Sequence, residues 1–127
     1  MSTGKFATAI NCMDGRTQLP VNRYLIEKYG VDYVDTITQP GPNKILANNS
    51  NQTATAAIKS MVMISVQGHG SKKIAIIGHA DCAGNPGDET TQIAQIKDAV
   101  EKVKSWGFDV EIIGLWLDEN WVVHEVV

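Results

Sequence analysis

The chain of 127 residues has the usual length of one domain, and a hydrophobic content of 43% is sufficient for a buried core. We therefore expect residues 1–127 to form a single domain. Charged residues make up 20% and the formal net charge is -3, which argues against nucleic acid as a partner because such proteins present a strongly basic face. No export signal opens the chain and no stretch approaches the roughly 20 apolar residues of a membrane helix. These features predict a cytoplasmic protein without a membrane span.

The first part of the chain predicts two strands separated by one helix. Lys5 to Asn11 is a short apolar run of β-compatible residues and predicts the first strand. Apolar residues near helical spacing predict a helix over Leu19 to Tyr29, with Gly30 as its C-terminal cap. Asp32 to Thr38 is rich in Val, Ile, Tyr and Thr and predicts the second strand. Two prolines and a glycine within Gln39 to Pro42 predict a loop after it.

The rest of the chain predicts two more helices and three more strands. The helices follow from apolar stripes at helical spacing, and the strands follow from continuous apolar or β-branched runs. Asp88 is a favourable N-cap and marks the start of the last helix. In chain order these elements are a helix over Asn49 to Gln67, a strand over Lys73 to Gly78, a helix from Asp88 to Trp106, and strands over Asp109 to Leu117 and Trp121 to Val127.

The alternation of strands and helices with short links predicts an α/β fold. Right-handed crossovers place the helices on both faces of a mostly parallel sheet, for which we expect the strand order 2-1-3-4 with a C-terminal antiparallel strand. In such sheets, sites form beyond the carboxyl ends of the strands where the winding direction reverses. Cys12 follows the first strand, and His79 and Cys82 follow the third. We therefore expect these three side chains to meet at one switch point.

Two thiolates and one imidazole favour a zinc ion. Cytosolic thiols stay reduced, so a disulfide between Cys12 and Cys82 is a poor interpretation of the pair. Three protein ligands leave the fourth tetrahedral position for water or a carboxylate. Asp14 is placed to occupy that position or to hydrogen-bond a bound water, and Arg16 is placed to hold the Asp14 carboxylate in a bidentate pair.

The same residues resemble a known family. Cys12-Met13-Asp14-Gly15-Arg16 is similar to the C-x-D-x-R motif of the β-class carbonic anhydrases. Gly78-His79-Ala80-Asp81-Cys82-Ala83-Gly84 resembles their G-H-x-D-C-G segment, and the final hairpin is also similar. The chain is shorter than usual members, and Gln39 to Pro42 replaces their arginine-asparagine-alanine-glycine loop.

The resemblance implies a zinc lyase that hydrates CO2 reversibly to bicarbonate. Cys12, His79 and Cys82 would bind zinc, and Asp14 with Arg16 would form the gating dyad. It also implies a homodimer or a higher homo-oligomer, because the family builds its site at a dimer contact. Two functional alternatives stay open, namely a hydrolase of a CO2 analogue such as carbonyl sulfide or carbon disulfide, and a non-catalytic zinc module that Asp14 closes permanently.

Plainer interpretations of the same residues also stay open. The two cysteines could be inert, buried small side chains, and Asp14 with Arg16 could be a surface ion pair of little energetic value. A cysteine between a strand and a helix also occurs in phosphatase-type loops, but those carry an arginine six positions later, where this chain has Gln18. We assign no function to His69 and His124. We expect packing or a subunit contact for the three tryptophans, Trp106, Trp116 and Trp121.

Overall fold

The computed structural model describes residues 3–127, and its centre is a sheet of five strands in the order β2-β1-β3-β4-β5. Pairing is parallel from β2 through β4, and β5 runs antiparallel to β4. This confirms the predicted fold class and strand order. The strands are β1 (Phe6–Cys12), β2 (Tyr33–Gln39), β3 (Lys73–His79), β4 (Glu111–Leu117) and β5 (Val123–Glu125).

Four α-helices and one π-helical turn connect the strands. The helices are α1 (Gln18–Tyr29), α2 (Pro42–Asn48), α3 (Gln52–Met63) and α4 (Glu89–Lys104), and the π-helical turn covers Ile64–Gly68. Among the described residues, none of these helices has the length and apolar character that a bilayer crossing requires.

Two of the predicted helix ends follow the expected cap chemistry. Helix α1 stops at Gly30, whose φ of 67° is left-handed and whose N–H donates to the carbonyl of Ile26. Helix α4 starts after Asp88, whose carboxylate accepts from the backbone N–H of Thr91 at 2.8 Å.

The core lies on both faces of the sheet because alternate strand residues point to opposite sides. On one face, Ala9 and Ala75 pack with Leu25 of α1. On the other face, Ile10 and Ile76 pack in the cluster that contains the buried residues of α3 and α4. Helices therefore cover both faces of the sheet.

The loop predicted over Gln39 to Pro42 is wrong at its end, because Pro42 begins α2. Proline is well suited to the first position of a helix, where its missing N–H has no intrahelical partner. Gly41 precedes it with a φ of 62°, a left-handed conformation that glycine adopts without steric cost.

The single helix predicted over Asn49 to Gln67 is also wrong. Asn49 is left-handed, with a φ of 54°, and ends α2 instead of starting a helix. Helix α3 begins later, after Asn51, whose side chain accepts from the N–H of Ala54 at 3.0 Å. Asparagine tolerates both the left-handed and the capping conformation, so hydrophobic spacing alone could not locate the break.

We predict that Gly41→Ala destabilises the protein more than Gly30→Ala. Both glycines are left-handed, which costs an alanine about 1–2 kcal/mol. A Cβ at Gly30 meets nothing within 4 Å, whereas one at Gly41 lies 2.5 Å from the Cβ of Asn85. Overpacking therefore adds about 1–3 kcal/mol at Gly41 only. Urea unfolding of the two variants measures the difference, and equal losses would contradict the close contact.

Candidate metal centre

The three candidate ligands lie together because two central strands end side by side. Cys12 is the last residue of β1 and His79 is the last residue of β3, and these strands pair in parallel. Cys82 follows on the turn after β3. The residues are 3%, 1% and 5% exposed, respectively, so the cluster is closed to bulk solvent.

The geometry of the cluster suits a single ion. The sulfur atoms of Cys12 and Cys82 are 3.8 Å apart, and one atom from each of the three side chains lies within 4.8 Å of the others. The Nδ1–H of His79 donates to the carbonyl of Ala80 at 2.6 Å, so Nε2 is the ring nitrogen left to face a metal. Nε2 is buried and has no hydrogen-bond partner among the described residues. A buried ring nitrogen without a partner, beside two sulfurs, fits the donor set of a zinc site.

The two thiols differ in acidity. Burial acts to raise the pKa of the Cys12 thiol, but the His79 side chain and the backbone N–H groups of Gly41 and Asp14 outweigh it, so this pKa falls to about 7. Burial and the neighbouring Cys12 sulfur raise the pKa of the Cys82 thiol to about 11. One thiolate is therefore stabilised by the protein itself. A second thiolate in the same space requires a compensating cation, as a divalent metal provides.

Asp14 does not belong to the cluster, because Arg16 holds its carboxylate. The Arg16 Nη2 donates to Asp14 Oδ2 at 2.6 Å, and Nε donates to Oδ1 at 3.0 Å. The backbone N–H of Arg16 adds a third bond to Oδ1 at 3.0 Å. These bonds to Arg16 lower the pKa of Asp14 to about 2, so the carboxylate is ionised and can only accept hydrogen bonds.

The turn that carries this pair is fixed by its own side chains. The Thr17 hydroxyl donates to the carbonyl of Asp14 at 2.7 Å. The Gln18 amide donates to the carbonyl of Cys12 at 2.7 Å. Gln18 therefore orients the backbone of the first ligand, and it occupies the position where a phosphatase-type loop would need an arginine.

Arg16 has two further neighbours that the sequence analysis did not assign to it. Asp81 accepts from Arg16 through its carboxylate and through its backbone carbonyl, both at 3.2 Å. The indole ring of Trp121 lies 4.6 Å from the guanidinium carbon and 6.1 Å from the His79 ring. Trp121 comes from the turn before β5, 105 positions away, and no local pattern links it to the site.

The other histidines lie outside the cluster. His69 stacks on Phe6 with ring centroids 4.2 Å apart, and its Nδ1 lies 2.6 Å from the carboxylate of Asp35. His124 lies in β5, with its Nε2 2.8 Å from the carboxylate of Asp118. Both contacts join neighbouring elements, and neither histidine contributes an atom to the cysteine cluster.

Comparison with known families identifies the chain. The family described as "Putative carbonic anhydrase" matches residues 2–127, and this protein belongs to that family. The resemblance inferred from the two motifs is thereby confirmed. No curated protein sequence matches the chain.

Solved β-carbonic anhydrases share its fold. A variant of CafD from the filamentous fungus Aspergillus fumigatus gives a TM-score of 0.59 at 14% identity and covers 99% of this chain and 91% of its own. A tetrameric β-carbonic anhydrase from the ascomycete Sordaria macrospora gives a TM-score of 0.57 at 12% identity. That match covers 98% of this chain and 82% of its own. CafA from Aspergillus fumigatus gives a TM-score of 0.54 at 14% identity, and the match covers 95% of this chain and 74% of its own.

We predict that the purified protein contains one zinc ion per chain and that Cys82→Ser loses most of it. The substitution replaces a soft thiolate with a poor hydroxyl ligand. Asp14→Asn is the matched control and should keep the metal, because Asp14 lies outside the ligand cluster. Elemental analysis after gel filtration measures both. Zinc-free wild type with a Cys12–Cys82 disulfide would refute the metal site.

Proposed function

We propose that this protein binds zinc through Cys12, His79 and Cys82 and hydrates CO2 reversibly to bicarbonate. The observation that carries the proposal is the arrangement of the opening turn, in which the Arg16 guanidinium holds the Asp14 carboxylate outside a buried cluster of three metal-binding side chains. Three ligands with the carboxylate held aside leave one coordination position for chemistry.

The proposed roles follow from the charges and contacts of the residues. A bound zinc ion would acidify a water molecule and supply a hydroxide at neutral pH. Asp14 is ionised, so it can accept a hydrogen bond from the attacking oxygen and orient it. Arg16 supports this role because two parallel bonds fix the plane of the carboxylate. His79 is oriented in turn by its bond to the carbonyl of Ala80.

The contacts of Asp14 also bear on the alternative of a permanently closed zinc module. A carboxylate that closes the site must leave Arg16 and give up the bonds at 2.6 and 3.0 Å. The proposal of an open site is supported by this bonded state. Hydrolysis of carbonyl sulfide or carbon disulfide would use the same residues, so an assay of all three substrates decides between them.

We predict that Arg16→Ala keeps zinc but loses most of the CO2 hydration. Without the guanidinium, the ionised Asp14 carboxylate is free to move towards the cation and occupy the open position. Arg16→Lys should restore activity only in part, because an ammonium group cannot form the bidentate pair. Stopped-flow hydration assays on zinc-loaded protein, paired with metal analysis, measure both effects.

Arg23→Ala is the matched control for that experiment. Arg23 lies on α1 and is the other arginine of the chain, so its removal makes the same change in net charge. It should leave hydration unchanged. An Arg16→Ala variant with wild-type hydration would contradict the gating role. If the zinc-loaded wild type neither hydrates CO2 nor hydrolyses carbonyl sulfide or carbon disulfide, the closed zinc module remains as the function.

We also propose a homo-oligomer, in line with the tetrameric relatives from Sordaria macrospora. Near the cluster, Met13 and Leu19 are each 63% exposed, and Val122 is 52% exposed. Such exposed apolar side chains beside a site favour a protein contact. The cytoplasmic location and the single-domain organisation stay predictions.

We predict that Leu19→Glu lowers the molar mass in solution and that Ile64→Glu does not. Both side chains are 63% exposed, but Leu19 belongs to the apolar residues near the cluster, whereas Ile64 lies in the π-helical turn. A buried glutamate without a partner opposes association. Multi-angle light scattering at about tens of micromolar tests the pair. A monomeric wild type would refute the oligomer. A lower molar mass for Ile64→Glu but not for Leu19→Glu would place the subunit contact at the π-helical turn instead.

A further inference from the structure

Within the residues that the structure describes, backbone strain is concentrated around Arg16. Three non-glycine residues in the described part of the chain have a left-handed backbone, namely Asn49, Asp81 and Trp121. Asn49 is explained by its position at the end of α2. Asp81 and Trp121, with φ values of 55° and 62°, both contact the Arg16 guanidinium. Strained residues of this kind persist where the surrounding structure holds them, and they cluster at functional sites.

The strain at Trp121 is maintained by a tight turn. The N–H of Trp121 donates to the carbonyl of Asp118 at 3.0 Å. The Asp118 carboxylate accepts from the N–H groups of Asn120 at 2.8 Å and Val122 at 3.1 Å. A tryptophan is an unfavourable residue for this conformation, since its Cβ crowds the following carbonyl. Glycine would adopt this backbone conformation without the steric cost. The turn therefore does not account for a tryptophan at this position.

The indole supplies a flat surface for a side chain that is otherwise half exposed. Arg16 is 48% exposed, and the ring centre of Trp121 lies 4.6 Å from its guanidinium carbon. A guanidinium over an indole is attracted by the negative face of the ring. Asp81 is a weak support by comparison, because its side chain is 84% exposed and its bond to Arg16 is 3.2 Å long.

We propose that Trp121 is a positioning residue that holds the Arg16 guanidinium in the orientation in which it pairs with Asp14. The inference rests on the proposed function, in which this pair keeps the carboxylate away from the metal ligands. Loss of the indole frees the guanidinium to adopt other rotamers. The bidentate pair with Asp14 then opens more often, although every ligand residue is unchanged.

The experiment compares Trp121→Gly with Trp121→Phe. Glycine removes the indole and at the same time relieves the left-handed backbone, so loss of stability does not obscure the result. Phenylalanine keeps an aromatic face and should retain most of the effect. Trp106→Ala is the control, because Trp106 is also a partly buried indole near a cation, with the Lys59 Nζ 5.9 Å from its ring centre. Trp106 packs against the core on one face of the sheet, whereas Trp121 packs against the core on the other face.

The first measurement needs neither metal nor activity. The chain has two arginines, so its NMR spectrum contains two Nε–H signals, and Arg23 serves as the internal reference. In the wild type, the Nε–H of Arg16 is bonded to Asp14 at 3.0 Å and should exchange slowly with water. Trp121→Gly should speed this exchange by roughly tenfold or more, since local opening sets the rate. Trp121→Phe and Trp106→Ala should remain close to wild type.

The second measurement is CO2 hydration by the zinc-loaded variants. Loss of a side chain that orients a site residue typically costs about 10–100-fold, and we expect a loss of that size in kcat for Trp121→Gly with full zinc content. If Trp121→Gly fails to fold, Trp121→Leu replaces it, because leucine keeps apolar bulk but has no aromatic face. Slow Arg16 exchange in the folded variant would overturn the inference. An inactive wild type would instead refute the proposed function, while the exchange data still decide the role of Trp121.

Discussion

The parallel pairing of β1 with β3 at the centre of the sheet is the constraint on which the site depends. These strands are buried along almost their whole length, and their carboxyl ends bring Cys12 beside His79 without help from any flexible segment. Burial makes the position of the ligands precise, because neither strand can shift its register without moving its apolar side chains out of the core. It also creates an electrostatic difficulty, since the same ends place two thiols and an imidazole out of reach of water.

Polar groups in the segments around the strand ends offset part of this cost. The backbone N–H groups of Gly41 and Asp14 act to lower the pKa of the Cys12 thiol. Gly41 also approaches the segment after Cys82 closely, where a Cβ would meet Asn85. The turn itself is held by buried amides, with Gln92 donating to the carbonyl of Asn85 at 2.7 Å and Asn43 donating to Gln92 at 2.8 Å. Helices α2 and α4 thus stabilise the second cysteine although they supply no ligand.

Much of this arrangement can be predicted from the sequence, because apolar runs locate the strands and short links fix their order. The convergence of Cys12, His79 and Cys82 follows from that order alone. The start of α2 at Pro42 could not be predicted, since proline and glycine indicate a loop as readily as a helix start. Trp121 was also missed, because its contact with Arg16 depends on a left-handed turn that hydrophobic patterns do not encode.

The candidate site has a buried part and an exposed part. The three candidate ligands are almost inaccessible to solvent, whereas Arg16 is 48% exposed and Asp14 is 20% exposed. An ion pair with this much exposure contributes little to folding, so the pair can open without unfolding its surroundings. Its geometry must then come from neighbours that fix the guanidinium from the side. Trp121 is suited to this because it belongs to a short, hydrogen-bonded turn and keeps a left-handed backbone while its indole lies over the Arg16 guanidinium.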